Sequence, residues 1–186
     1  FVTYPISPAK HVELFKELVP GLRRLLVLIN PDDPMTPGEL GEVRRAAALL
    51  KLQLVEREAT SQADVERVFA AVRRGTVDGV FTASQTLRSK FSALLVRLAS
   101  EKRLPLATHQ KAWVEQGALF SYAPDLASMG RGAAQYLDKI LKGAKPGDLP
   151  VQQPTRFELV INLRTAKALG LTIPKSLLVR ADHVIQ

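Results

Sequence analysis

Apolar residues along this chain fall into short unbroken runs, which alternate with longer stretches where they recur every three or four positions. Arg24 to Asn30 (RLLVLIN) is a continuous apolar run with a polar stop, the pattern of a strand buried on both faces of a parallel sheet. Pro31 to Met35 reads as a loop. Thr36-Pro37-Gly38-Glu39 then has the form of a capping box with proline at the first helical position, and Leu40, Val43, Ala47 and Leu50 follow at helical spacing. Leu52 to Glu56 predicts a second strand. Ser61, with Asp64 three residues on, opens a second helix whose stripe is Val65, Val68, Phe69 and Val72. Gly79 to Ala83 predicts a third strand, and Leu87, Phe91, Leu94, Leu95 and Leu98 a third helix.

The alternation continues. Leu104 to Thr108 predicts a fourth strand, Lys111 to Gln116 a short helix closed at Gly117, and Leu119 to Ala123 a fifth strand. Asp125 caps a longer helix carrying Leu126, Met129, Ala133, Leu137 and Ile140, with Gly130 and Gly132 read as close-packing positions. Gly143 to Thr155 breaks the rhythm, with three prolines and two glycines, and reads as an extended connection. Phe157 to Leu163 is a sixth strand, followed by a short helix through Thr165 to Leu169; Thr172 to Gln186 reads as a tail. Strands alternating with helices imply a doubly wound parallel sheet with helices on both faces.

Composition narrows this picture little. The 186 residues are 46% hydrophobic and 24% charged, as in an ordinary globular domain. No apolar run approaches the roughly 20 residues a membrane-spanning helix needs. The absence of cysteine removes disulfides, thiolate chemistry and cysteine-based zinc sites. The net charge of +8 comes from dispersed Lys and Arg, with pairs such as Arg23-Arg24 and Arg73-Arg74 near element ends. That is a solvated basic surface and not the clustered footprint of a nucleic-acid binder.

In a doubly wound sheet, ligands bind beyond the carboxyl ends of the strands. That rule selects Asn30 with Asp32 and Asp33 after the first strand, Thr82 with Ser84, Gln85 and Thr86 after the third, and Thr108 with His109 and Gln110 after the fourth. Each residue alone is as well explained by helix capping or loop solvation; together they read as a pocket rim. Asp32-Asp33 also resembles the acidic pair of phospho-acceptor receiver domains, but Thr82-Ala83-Ser84 stands where such a domain needs an aspartate. His109 is the only histidine near the predicted edge. No HExxH, GxSxG or P-loop motif occurs, and no nucleophile is arranged with a base, so no cofactor and no catalytic residues are expected.

The runs HVELFKELVPGLRRLLVLINPDDP and WVEQGAL, SYAPDL, AAQYLDKILKGAKPGDLPVQQPT, FELVINLRTAKALGL resemble, in order, the substrate-binding proteins of ABC transporters, of the tryptophan- and tyrosine-type. The resemblance covers essentially the whole chain. It implies a lobe like those of type I periplasmic binding proteins, with two such lobes closing on a small molecule and delivering it to a membrane ABC permease. It implies a periplasmic or membrane-anchored extracytoplasmic location. Residues 22–117 with 151–174 would form a nearly complete second lobe, 1–20 with 119–146 parts of a first lobe, and 175–186 a tail, the rest of the first lobe lying outside this chain. Asn30 matches the family's Asn after the first strand of that lobe. Ser84 and Gln85 stand where the family often has an acidic residue and Asn. Thr108 and His109 fall at variable, pocket-facing positions, and Tyr122 lies on the returning strand near the hinge. Thr36 opens a helix whose N-terminus, like that at Thr86, suits a ligand carboxylate. The expected function is binding of a small organic solute such as an amino acid, without catalysis. A ligand-sensing lobe of a signalling or transcriptional regulator shares the architecture and stays open as the alternative, as does an enzyme of the same sheet class. Ligand identity and oligomeric state stay open.

Overall fold

The structure is a computed structural model that describes residues 7–73, 75–151, 153–154 and 156–186. Residues 1–6, Arg74 of the basic pair, and Gln152 and Thr155 of the proline-rich connection lie outside the described residues. Eight helices and seven strands follow one another among the described residues as α1 (Pro8–Leu18), β1 (Arg24–Ile29), α2 (Thr36–Leu49), β2 (Gln53–Glu58), α3 (Gln62–Ala71), β3 (Gly79–Thr82), α4 (Gln85–Glu101), β4 (Ala107–Thr108), α5 (Lys111–Glu115), β5 (Phe120–Pro124), α6 (Leu126–Leu141), β6 (Phe157–Asn162), α7 (Leu163–Ala168), α8 (Lys175–Arg180) and β7 (His183–Ile185).

Strands β2-β1-β3 form one parallel ladder and β4-β5-β6-β7 a second. A parallel bridge between Val80 and Leu106 joins them, where the Val80 N–H donates to the Pro105 carbonyl at 2.9 Å. Among the described residues only β5 and β6 run antiparallel. The order thus reverses at β1, with β2 on one side and β3 on the other. That is the topological switch point of a doubly wound sheet.

Alternation along β1 sends Leu25 and Val27 to one face and Leu26 and Leu28 to the other, and each face has its own core. The first core takes Val12, Phe15 and Leu18 of α1, Leu40 and Val43 of α2, and Ala166 and Leu177 of α7 and α8. The second takes Val65 and Phe69 of α3, Leu87 and Leu95 of α4, and Val114 of α5. Gly79 is required by this packing. A Cβ there would lie 2.6 Å from Cζ of the fully buried Phe15.

α1 contributes to the first core, and β5 pairs with β4 and β6. Local expectations are corrected. The expected tail is structured, because α8 buries Leu177 and β7 pairs in parallel with β6. The fourth strand shrinks to Ala107–Thr108, since Pro105 offers no N–H to a ladder. Of the stretch 119–146, α6 alone departs from the body. Tyr136 is its sole buried side chain among the described residues, while Leu126, Leu137, Ile140 and Leu141 are exposed. Gly130 of α6 has nothing within 4 Å of where a Cβ would stand, so it is not a close-packing position.

Candidate functional site

The site stands at the carboxyl edge of β1, β3 and β4, around the switch point. At the end of β1, Asn30 is buried and its Oδ1 accepts the Asp32 N–H at 2.9 Å, a side-chain turn that directs the chain over the edge. The Asp32 side chain is exposed. The carboxylate built into the edge is that of Asp33: its Oδ1 accepts the Met35 N–H at 3.0 Å, and its Oδ2 accepts the Ser84 hydroxyl at 2.7 Å and the Thr86 N–H at 2.8 Å. Burial pushes this carboxyl up, but the bonds from Thr86, Ser84 and Met35 outweigh burial and hold it at about 2. Asp33 is therefore ionised at neutral pH and ties the loop after β1 to the start of α4.

The helix N-terminus at Thr86 is thus already occupied by a carboxylate of the chain itself. Ser84 caps α4 through the Leu87 N–H at 3.3 Å, the ordinary structural role for a serine there, while Gln85 is exposed on the rim. The expected capping box at Thr36 does not form. α2 begins at Thr36 with Met35 as its N-cap and no side-chain cap, and the buried Thr36 Oγ1 finds no partner among the described residues. The Glu39 carboxylate is engaged elsewhere.

Glu39 meets Arg88. Arg88 Nη1 and Nη2 donate to Glu39 Oε2 and Oε1, both at 2.6 Å, with side chains 7% and 9% exposed. Nη1 also donates to the Thr82 carbonyl at 2.8 Å, and the Arg88 carbonyl accepts from the Ser92 hydroxyl. The ion pair links α2, which follows β1, to α4, which follows β3. It spans the switch point beneath the polar rim.

The third cluster adds a residue from a distant part of the chain. His11 of α1 is fully buried, with Nδ1 2.9 Å from the Ser7 carbonyl oxygen and Nε2 3.2 Å from that of Thr108. Its ring meets Tyr122 edge-on at 6.1 Å, and Tyr122 stacks on Phe157 at 5.3 Å. Burial lowers the His11 pKa to about 4, with the Arg88 cation adding to the effect. Burial, then Arg88 and His11, lower that of His109 to about 3. Both histidines are neutral at physiological pH.

The structure therefore gathers Asn30, Thr36, Ser84, Thr108 and His109 as buried groups along one edge, with Asp32 and Gln85 exposed and Tyr122 half-buried. The sequence reading named Asp33 at this edge without its organising role, and missed Glu39, Arg88 and His11 there. A signal existed for two of them. Glu39 lies beside the stripe Leu40-Val43-Ala47, and Arg88 beside Leu87-Phe91-Leu95, so each is a charge on a buried helical face, which calls for a buried partner. Among the described residues no cluster of His, Asp or Glu could hold a metal, and no helix is long and apolar enough to cross a membrane.

The chain is thus an α/β domain built on a doubly wound sheet, with polar groups converging at its switch point. The chain belongs to the ABC transporter substrate binding protein family, whose model matches residues 5–185. It is 24% identical over 166 residues to a tyrosine-binding protein of Clostridioides difficile (strain R20291), covering 89% of this chain and 48% of that protein. A conserved domain protein from Vibrio cholerae O1 biovar El Tor superimposes with a TM-score of 0.83 at 30% identity, over 98% of this chain and 62% of that one. An ABC domain in complex with L-Trp from Streptococcus pneumonia does so with a TM-score of 0.80 at 27% identity, over 96% and 60%. The chain thus spans about half the length of the curated relative and three fifths of these solved chains.

Proposed function

We propose that this chain is one lobe of an extracytoplasmic solute-binding protein serving an ABC importer, and that its switch-point edge forms one wall of a cleft for a small organic solute, foremost an amino acid. The observation that carries this reading is the edge itself: polar groups from the ends of β1, β3 and β4, held in register by the buried Arg88–Glu39 pair. Asn30, Asp32, Thr36, Ser84, Gln85, Thr108, His109 and Tyr122 are the ligand-facing set. Asp32 and Gln85 on the rim offer a carboxylate and an amide to a ligand ammonium or carboxylate, while the Tyr122 ring offers an apolar wall.

Family membership and the tryptophan-bound and tyrosine-binding relatives support an amino acid as cargo and a membrane permease as partner. The exposed apolar stripe of α6 supports a second body covering it, which would supply the other wall of the cleft. Burial leaves His11 and His109 neutral at physiological pH and weak as bases, which favours binding over catalysis. The test is calorimetric titration of the protein at its natural length with each amino acid. Saturable binding of one or a few is the expected result; binding of no small solute overturns the reading.

A further inference from the structure

Beneath the rim, α4, α5 and β4 border a space lined by Thr82, Arg88, Ser92, Leu106, Thr108 and Trp113, with room for a water centre over ≈ 10 Å³. Arg88 and Trp113 both line it, and Arg88 Nε and Trp113 Nε1 are buried N–H donors without an acceptor among the described residues. A buried donor left unpaired forfeits its hydration with no return, so native proteins rarely keep one.

We propose that this space is an internal water site, with one ordered water accepting from Arg88 Nε–H and Trp113 Nε1–H and donating to hydroxyl oxygens of its lining. The volume fits that occupant, because a single water needs about 10–15 Å³ measured in this way and two to four polar partners. Thr82, Ser92 and Thr108 line the same space, and a hydroxyl oxygen can accept the water's own protons. A halide is the other species that two N–H donors attract, and two features disfavour it. Glu39 already neutralises the Arg88 charge through two 2.6 Å bonds, and a halide is larger than water in a space that has no room to spare.

The site also has a structural consequence. Three of the five Arg88 N–H donors are held by Glu39 and Thr82, so water on Nε engages a fourth and fixes the guanidinium plane. Trp113 of α5 then joins, through the water, the pair that already bridges α2 and α4.

A crystal structure of the protein that resolves ordered solvent, with a bromide-soaked crystal measured for anomalous scattering, tests this. The expected result is a water peak within hydrogen-bond distance of both nitrogens and no bromide signal there. An empty space, a bromide peak, or protein acceptors on both nitrogens overturns it. In solution, Trp113 is the only tryptophan of this chain, so its indole N–H gives one signal. A cross-peak from that signal to slowly exchanging water is expected, and its absence counts equally against the site.

Discussion

Arg88 and Glu39 face each other across the switch point in a bidentate ion pair, both bonds 2.6 Å long, with almost no access to solvent. Such pairs are expensive to break and cheap to replace. Removing one partner strands a buried charge at a cost of about 3–5 kcal/mol, whereas replacing both with apolar groups of similar size is neutral or stabilising. Glu39→Leu is therefore expected to lower unfolding free energy by about that amount, and Arg88→Met added to it to restore most of the loss. Denaturant unfolding of the two single variants and the double variant measures this; a double variant as unstable as the worse single one contradicts it.

Gly79 and Phe15 make a second tight relationship. The ring stands where a Cβ on β3 would go, and Leu22 closes the other side at 3.1 Å. Gly79→Ala is expected to cost about 1–3 kcal/mol by overpacking. Phe15→Leu in the same chain should relieve part of that cost, giving a favourable coupling in a double-mutant cycle. Additive losses would show that the contact is not the cause.

Acid should weaken the fold in two stages. His11 and His109 have pKa values lowered from 6.5 to about 4 and about 3. The unfolded chain therefore binds their protons first, and stability present above pH 6.5 falls as the pH drops toward these folded values. For His11 the full loss is on the order of 3 kcal/mol. Asp33, held at about 2, adds a further loss below the ordinary aspartate range. Urea unfolding at pH 7.5, 5.5 and 4.5 should show a steady decline that flattens in a His11→Gln, His109→Gln variant. Stability that rises as the pH falls would contradict the burial of neutral imidazoles.

The stripe on α6 makes the opposite prediction. Leu137, Ile140 and Leu141 are exposed, so changing them to serine should shift the stability of this chain by only about 0.5 kcal/mol each, as at surface positions. A hydrophobic dye that binds the chain should lose its signal in the triple variant. A drop of several kcal/mol would mean that α6 packs against the lobe after all.

The doubly wound sheet was legible because each element carries a local signal. The unbroken run of β1 and the stripe from Val65 to Val72 need no partner to be read. The strand ends were legible for the same reason, since topology places them before any side chain is considered. What joins them was not. His11 reaches Thr108 across 97 positions, and the Asp33–Ser84 bond spans 51, and no local pattern encodes either. Thr36 misled because its capping-box spelling was honoured by neither Thr36 nor Glu39: the buried Arg88 claimed the glutamate. The segment from His183 to Ile185 was read as tail because a three-residue strand is shorter than any periodicity can mark.

The central claim is that the carboxyl edge around β1, β3 and β4 receives the ligand. The most direct measurement is the map of backbone amide shifts in the isotope-labelled protein as a bound amino acid is titrated in. The predicted result is a set of saturating shifts concentrated at Asn30 to Thr36, Ser84 to Arg88 and Thr108 to Gln110, with Tyr122 among them. Shifts confined to the opposite edge of the sheet, or spread without saturation over the basic surface, would contradict the account.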